Sequence, residues 1–390
     1  MRNPSREDGF TLTEMLVSTS ILLLLIGAAL TTLGDGMAIS DAASQLSDSN
    51  QNLRAGTNQL VRDLLMGGRI IGAEGIAMPS GTGVTAFARP GPPGSNLTFS
   101  LDPDGTNRNL PSISTGDELG PTINGATTDI VTILTVDEFM PVITTPPQVA
   151  ATPTADEGTI SADGGSVTLP ASSLWLTGDP ANGTGKIEVG DLVFYKGPLG
   201  NAIQTVTSID ATHIYFAANH GNDWFHFNQP AATNRPLAAL KGTASLLTAW
   251  DASHPVTLFR AMMFTYFIDD TTKPGVPRLT RLLNHCPITD PTCARYSPQA
   301  LGGVVEGLDL TYDLNDGTTS PPIERPTLPY TISVGSVVTT YNSNQIRKVN
   351  VRVGVRSETV SKTSQDYVRN QVSTSVIVRS LASVDRYKTE

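Results

Sequence analysis

The chain of 390 residues carries 26 Lys and Arg against 36 Asp and Glu, for a formal net charge of -10 and a pI near 5.0. That balance excludes broad nonspecific nucleic-acid binding, which needs a surplus of cations to neutralise phosphates. Charged residues make up only 16% while Gly (35) and Pro (27) are plentiful, a composition that favours short strands and many turns.

The first element in chain order is helical. From Met15 to Gly34 the sequence runs for 20 residues without a charge, which as an α-helix rises about 30 Å and matches the hydrocarbon thickness of a bilayer. Arg2 and Arg6 precede this run and the next basic residue is Arg54, so positive-inside counting leaves the N-terminus in the cytoplasm and sends the body outward. A cleaved secretory signal is the alternative, with Gly27 and Ala29 as the small residues of its cleavage site. The pattern beyond Gly34 favours a continuing helix, because Ile39, Leu46, Leu53 and Leu60 recur every seven residues, with Val61, Leu64 and Leu65 near the same stripe. Gly67 and Gly68 supply a stop, and Gly34, Gly36 and Gly56 are weak points where the helix can bend. Glu14 stands at the edge of the apolar run, where an unpaired carboxylate is costly enough to require a role.

The remainder reads as strands. Apolar or alternating stretches such as TDIVTILTV, DLVFY, VTLFRAMMFTYFI, GLDLTYDL, IRKVNVRVGV and STSVIVRSL are each bounded by Gly, Pro, Asp or Asn. Pro and Thr dominate PVITTPPQVAATP from Pro141 to Pro153, the composition of an extended connector. The expected fold class is α+β: a long N-terminal helix, membrane-spanning then amphipathic, packed on an antiparallel β-sheet body with a β-rich insert. The expected divisions are residues 10–34 for the transmembrane helix and 35–67 for its amphipathic continuation. Residues 68–140 form the first part of the body, 141–254 the linker and insert, and 255–390 the second part of the body.

Candidate sites outside the helix are few. Cys286 and Cys293 lie close together in HCPITDPTC and suggest a disulfide closing a small loop if the compartment is oxidising, or else a pair of free surface thiols. GTGKI resembles a phosphate loop, but Pro180 stands where its first glycine belongs and Ile187 replaces the magnesium-binding hydroxyl. No nucleophile elbow or zinc-binding helix motif occurs, so neither an enzyme nor a cofactor is expected. His213, His220 and His226 lie among aromatic residues and read as polar members of a loop or as metal ligands. Asp102, Asp104 and Asn107 in LDPDGTNRN, and Asp313, Asn315 and Asp316 in YDLNDG, offer oxygen ligands for calcium, yet the same residue types make β-turns.

A short leader with basic residues, then Gly9, the aromatic Phe10, TLTE ending in Glu14, and an apolar helix resemble the class III signal of type IV pilins and type II secretion pseudopilins. The resemblance implies a leader at residues 1–9, cleavage between Gly9 and Phe10 by the prepilin peptidase, and N-methylation of Phe10. It also implies extraction from the membrane into a filament, where Glu14 meets the terminal amine of a neighbouring subunit. Two physical arguments support this. A leader glycine has no Cβ to clash in a narrow protease cleft, and a carboxylate from the next helix neutralises an ammonium that lipid tolerates poorly. Farther on, the order of MFTYFIDDTTKPGVPRLTRLL, VVEGLDLTYDL, IRKVNVRVGVRSE and STSVIVRS resembles the C-terminal half of PilW-like minor pilins and pseudopilin J subunits. The chain departs from that pattern at Thr280 and in its ending VRSLASVDRYKTE. This second resemblance, together with the size of the chain, implies a minor subunit near a filament tip. The implied partners are other minor and major pilins or pseudopilins and an inner-membrane assembly platform. A secretion pseudopilin, or a tip adhesin binding through exposed aromatics of the insert, would share these features.

Overall fold

The computed structural model describes residues 10–73, 75–79, 85–99, 101, 109–145, 157–161, 163–179, 185–197, 200–229, 256–284, 298–314, 323–334, 337–360 and 365–382. Helix α1 runs unbroken over Leu12–Met66, 55 residues, and an antiparallel-sheet body follows it, so the fold is α+β. At its C-terminal end, where helix carbonyls lack intrahelical partners, the Thr135 hydroxyl donates to Met66 O at 2.9 Å and the Ser380 hydroxyl to Gly67 O.

The body is organised around one long strand. Its neighbour β2 (Val131–Val136) is flanked in turn by β1 (Ile113–Ser114); β3 (Ile143–Thr145), β4 (Leu192–Gly197) and β5 (Gly200–Thr205) follow in the chain. The long strand itself is β6, Val256–Asp269, and β7, Arg278–Leu283, returns beside it. Along one edge β6 pairs first with β4 and then with β7; along the other it pairs first with β3 and then with β2. Its second half, Phe264 to Ile268, is buried on both faces, which is why its sequence there is mostly apolar, and the one aliphatic hydroxyl, Thr265, is bonded to Thr132 at 3.1 Å. Strands β4 and β5 fall within the segment read as an insert, yet they join the same sheet as β6. Asp191, just before β4, pairs with Arg260 of β6 at 3.1 Å.

A second sheet has the order β9-β8-β10-β11, where β8 is Val304–Leu314, β9 Ile323–Arg325, β10 Ile346–Val360 and β11 Tyr367–Ile377. Period-two alternation in β10 sends Val349, Val351, Val353 and Val355 inward and leaves Arg352 exposed on the other face. The inward row meets Leu53, Leu60 and Leu64 of α1 and Phe264, Tyr266 and Ile268 of β6 in one core. Trp175, Tyr195 and Phe216 centre a second cluster between β4 and a small four-stranded sheet that includes Ser166–Thr168 and His213–Tyr215. Phe87, Phe99, Phe194, Phe225 and Phe227 fill a third cluster.

Candidate processing and anchoring segment

Phe10 precedes α1, and Thr11, in extended conformation, is the N-cap. The Thr11 hydroxyl accepts from the Glu14 amide at 3.3 Å, and the Glu14 carboxylate accepts from the Thr11 amide at 3.0 Å and from the Thr11 hydroxyl at 2.9 Å. This reciprocal arrangement is a capping box, which satisfies donors that the first helical turn otherwise leaves open. Glu14 therefore has a partner within its own chain before any neighbour arrives. The sequence signature of the box is Thr-x-x-Glu ahead of an apolar run. Gly9, the residue before the proposed cut, lies outside the described residues.

Beyond the cap the helix is built for an apolar medium. Mean hydropathy reaches 2.2 over an 18-residue window, none of which is buried inside the body, and Leu22, Leu23 and Leu24 are exposed. Its hydroxyls bring their own acceptors: Thr19 donates to Met15 O at 2.9 Å, Ser20 to Leu16 O at 2.8 Å, and Thr31 and Thr32 each to Ala28 O at 2.8 Å. No polar side chain among these four asks lipid for a hydrogen bond.

The C-terminal part of α1 fixes the anchor to the body. Asp63 is buried and accepts from Tyr266 Oη at 2.6 Å, Arg281 Nε at 2.6 Å and Gln59 Nε2 at 3.2 Å. The Arg281 guanidinium also lies 3.9 Å from the centre of the Phe264 ring. Burial, and then the Asp63 charge, push the Tyr266 hydroxyl well above its ordinary range, so it remains a donor. Gly56 is a place of close approach: a Cβ there would stand 3.1 Å from Leu301 O and 3.3 Å from Leu279 Cδ2. At Gly34 and Gly36 nothing lies within 4 Å of such a Cβ. The weak-point reading of Gly56 is thus replaced by a packing role.

The other candidates fall as follows. Cys286 and Cys293, the loop of Asp102, Asp104 and Asn107, and Asn315 and Asp316 lie outside the described residues. Asp313 pairs with Lys348 Nζ at 2.6 Å and accepts from Asn350 Nδ2 at 2.9 Å. His213 bonds Asp210 at 3.1 Å, the His220 ring accepts from the Asn222 amide at 3.2 Å, and the His226 amide donates to Asp223 O at 3.1 Å, so each is held by its own turn. No group of three His, Cys, Asp or Glu converges on a metal position among the described residues. Trp175, Phe225 and Phe227 are fully buried while Trp224 is half-buried, so the first three supply no exposed patch.

The prokaryotic N-terminal methylation motif matches residues 4–30. Comparison with curated proteins and with solved structures gives no match. The matched segment spans the leader from residue 4, the Gly9-Phe10 junction, the capping box and much of the lipid-length apolar helix, and that helix continues without a break into a sheet-rich body: the N-terminal segment of the chain is that of a type IV prepilin-like protein.

Proposed function

We propose that this protein is a minor, non-enzymatic subunit incorporated at or near the tip of a type IV pilus-type filament, where it helps to prime assembly. The observation that carries the reading is the division of α1. Its apolar half is free of the body, and its other half is locked into two large sheets, so one chain supplies both a filament-type helix and a sizeable exposed head. Before assembly the helix lies in the inner membrane with its N-terminus cytoplasmic and its body in the periplasm. Prepilin peptidase cuts after Gly9 and Phe10 is methylated; other pilins and the assembly platform are then its partners. N-terminal sequencing should find the wild-type chain beginning at Phe10, whereas Gly9→Val should accumulate as uncut precursor, because the added side chain cannot lie in the cleft. A wild-type chain that begins at Met1 sinks the reading, and one that begins near Leu30 replaces it with secretion by a cleaved signal.

The capping box sharpens the test at Glu14. Glutamine at this helix position still bonds back to the cap but carries no charge. Glu14→Gln therefore keeps the local structure and removes only the counter-charge for a neighbour's amine, while Glu14→Ala removes both. Loss of partner subunits from both variants, with cleavage and membrane level intact, supports an intersubunit pair. Loss from Glu14→Ala alone assigns the residue to the cap. Co-purification with pilus subunits supports the pilus, and recovery with type II secretion subunits moves the protein to the pseudopilins.

A further inference from the structure

Strand β11 forms one edge of its sheet, and among the described residues no strand pairs with its outer side. It is 11 residues long, YVRNQVSTSVI, without Pro or Lys. Soluble proteins usually protect such an edge by shortening it, charging it or covering it, because a row of unpaired amides and carbonyls is a template for another strand. Its one charge, Arg369, is already held by Glu306 at 3.0 Å and Asp366 at 3.0 Å. The Gln371 amide turns to Asn370 Oδ1 at 2.8 Å, whereas the Val368 amide points inward to Ser357 Oγ at 3.1 Å. The alternation along a strand then places the amides of Ser373 and Ser375 on the outer side as well. Beside this edge, Ala43, Leu46, Ser47, Asn50, Gln51 and Arg54 of α1 line a groove of about 470 Å³, and Asn50 accepts from the Asn370 side chain of β11.

The direction of β11 limits what can occupy the edge. Asn370 meets Asn50, and farther on Ser380 meets Gly67, so β11 and α1 run the same way. Every strand pair within the sheets is antiparallel, and an added strand of that kind would run back toward the N-terminal end of α1. Pairing with β11 of a second copy would turn that copy's α1 upside down, which two chains anchored in one membrane cannot do. In this sheet the strands of a second copy that run back are β9, of only three residues, and β10, already paired on both edges. From this we infer that β11 accepts an extended segment of a different subunit of the same assembly, added antiparallel to it. Where the segment runs on past Asn370 toward the N-terminal end of α1, its inward side chains reach the groove lined by Leu46 and Asn50, and its outward ones are uncharged, opposite Gln371, Ser373 and Ser375. This inference rests on the assembly reading given above.

The test places a photo-crosslinking amino acid in the full-length protein, in its native cells, at Ser373 or Ser375 on the edge, at Thr311 on the outer sheet face away from it, and at Leu22 in the apolar helix. The crosslinked peptides are sequenced. Ser373 and Ser375 should capture one extended segment of another prepilin-type subunit, and Thr311 should not. Ser373→Pro leaves the β10 ladder intact because that amide faces outward, and it should reduce capture from position 375 about tenfold, the effect of 1.4 kcal/mol. Ser375→Lys, which leaves the backbone unchanged, should reduce capture from position 373 in the same way. Capture from Leu22 but not from the edge overturns the strand-addition site while leaving the assembly reading standing. Capture from neither overturns both, and capture of a second copy's own peptide at the edge overturns the choice of partner.

Discussion

One heptad stripe of α1 lies in two different environments. Ile39 is 68% exposed and Leu46 39%, whereas Leu53 is 2% exposed and Leu60 is fully buried. The four positions are chemically interchangeable by sequence, so periodicity identifies a face without saying what covers it. Three features mark the change from free helix to packed helix: Gly56, where the backbone approaches Leu301; Asp63, which meets Tyr266 and Arg281; and the hydroxyls of Thr135 and Ser380 on the last carbonyls. A helix buried in protein has fixed partners, and a helix in lipid has only apolar contact to lose or keep.

The comparison is broken most severely at Asp63. Asp63→Ala leaves the Arg281 guanidinium and the Tyr266 hydroxyl without their acceptor and should destabilise the body by about 4 kcal/mol, the cost of deleting one partner of a buried pair. Asp35→Ala, on the exposed stretch, should stay within about 0.5 kcal/mol. Urea denaturation of the detergent-solubilised protein, followed by tryptophan fluorescence, measures both. Next comes Leu60→Ala, which opens a cavity in the core and should cost about 3 kcal/mol, against no resolvable change in body stability for Leu23→Ala. Equal effects from these two leucines would show that the stripe has one environment and not two.

A smaller test uses glycine. Gly56→Ala forces Leu301 or Leu279 to move and should destabilise by about 1 kcal/mol. Gly36→Ala meets nothing and should raise helix stability by about 1 kcal/mol through propensity alone. Opposite signs for the same substitution on one helix would be hard to obtain if both glycines served flexibility.

The smallest effect separates body from anchor by pH. Asp129 accepts from the Glu118 amide at 3.0 Å and the Leu310 amide at 2.7 Å. Burial, with Asp117 and Asp309 nearby, nonetheless raises its carboxyl to about 6. The folded state thus holds this proton more tightly than the unfolded chain. Its stabilising contribution is complete below about pH 4, the ordinary range of an Asp, and is lost as pH rises through about 6. Melting temperature should fall slightly between pH 4.5 and pH 7, and Asp129→Asn should flatten that slope. Removal of residues 1–34 should leave the slope unchanged, since the groups involved belong to the body.

What was legible in the sequence was what is local. The apolar run, the heptad stripe and the Gly9-Phe10 junction are contiguous, and each carries its own physical signature. The class α+β follows from one helical pattern ahead of many alternating ones. Strand partners were hidden, because β6 recruits β2 and β4 from segments far apart in the chain, and composition suggested a separate insert where the sheet is continuous. Asp63 and Arg281 stand 218 positions apart, and no spacing rule reaches across that distance. The capping box is local too, but Glu14 carries two signals at once, a charge at the edge of an apolar run and the last letter of Thr-x-x-Glu, and the first masks the second.

The common direction of α1 and β11 has a mechanical consequence. A pull along α1 enters the body through Asp63, through the helix's last carbonyls and through the apolar contacts with β10 and β11. The share that passes through β10 and β11 acts along the strands of that sheet and not across them, while Asp63 and Met66 O pass the rest to β6, β7 and β2. Interstrand hydrogen bonds perpendicular to the strands are then strained in shear, so many must give way together instead of opening one after another as in a zipper. The head is mounted to resist tension from its own stalk.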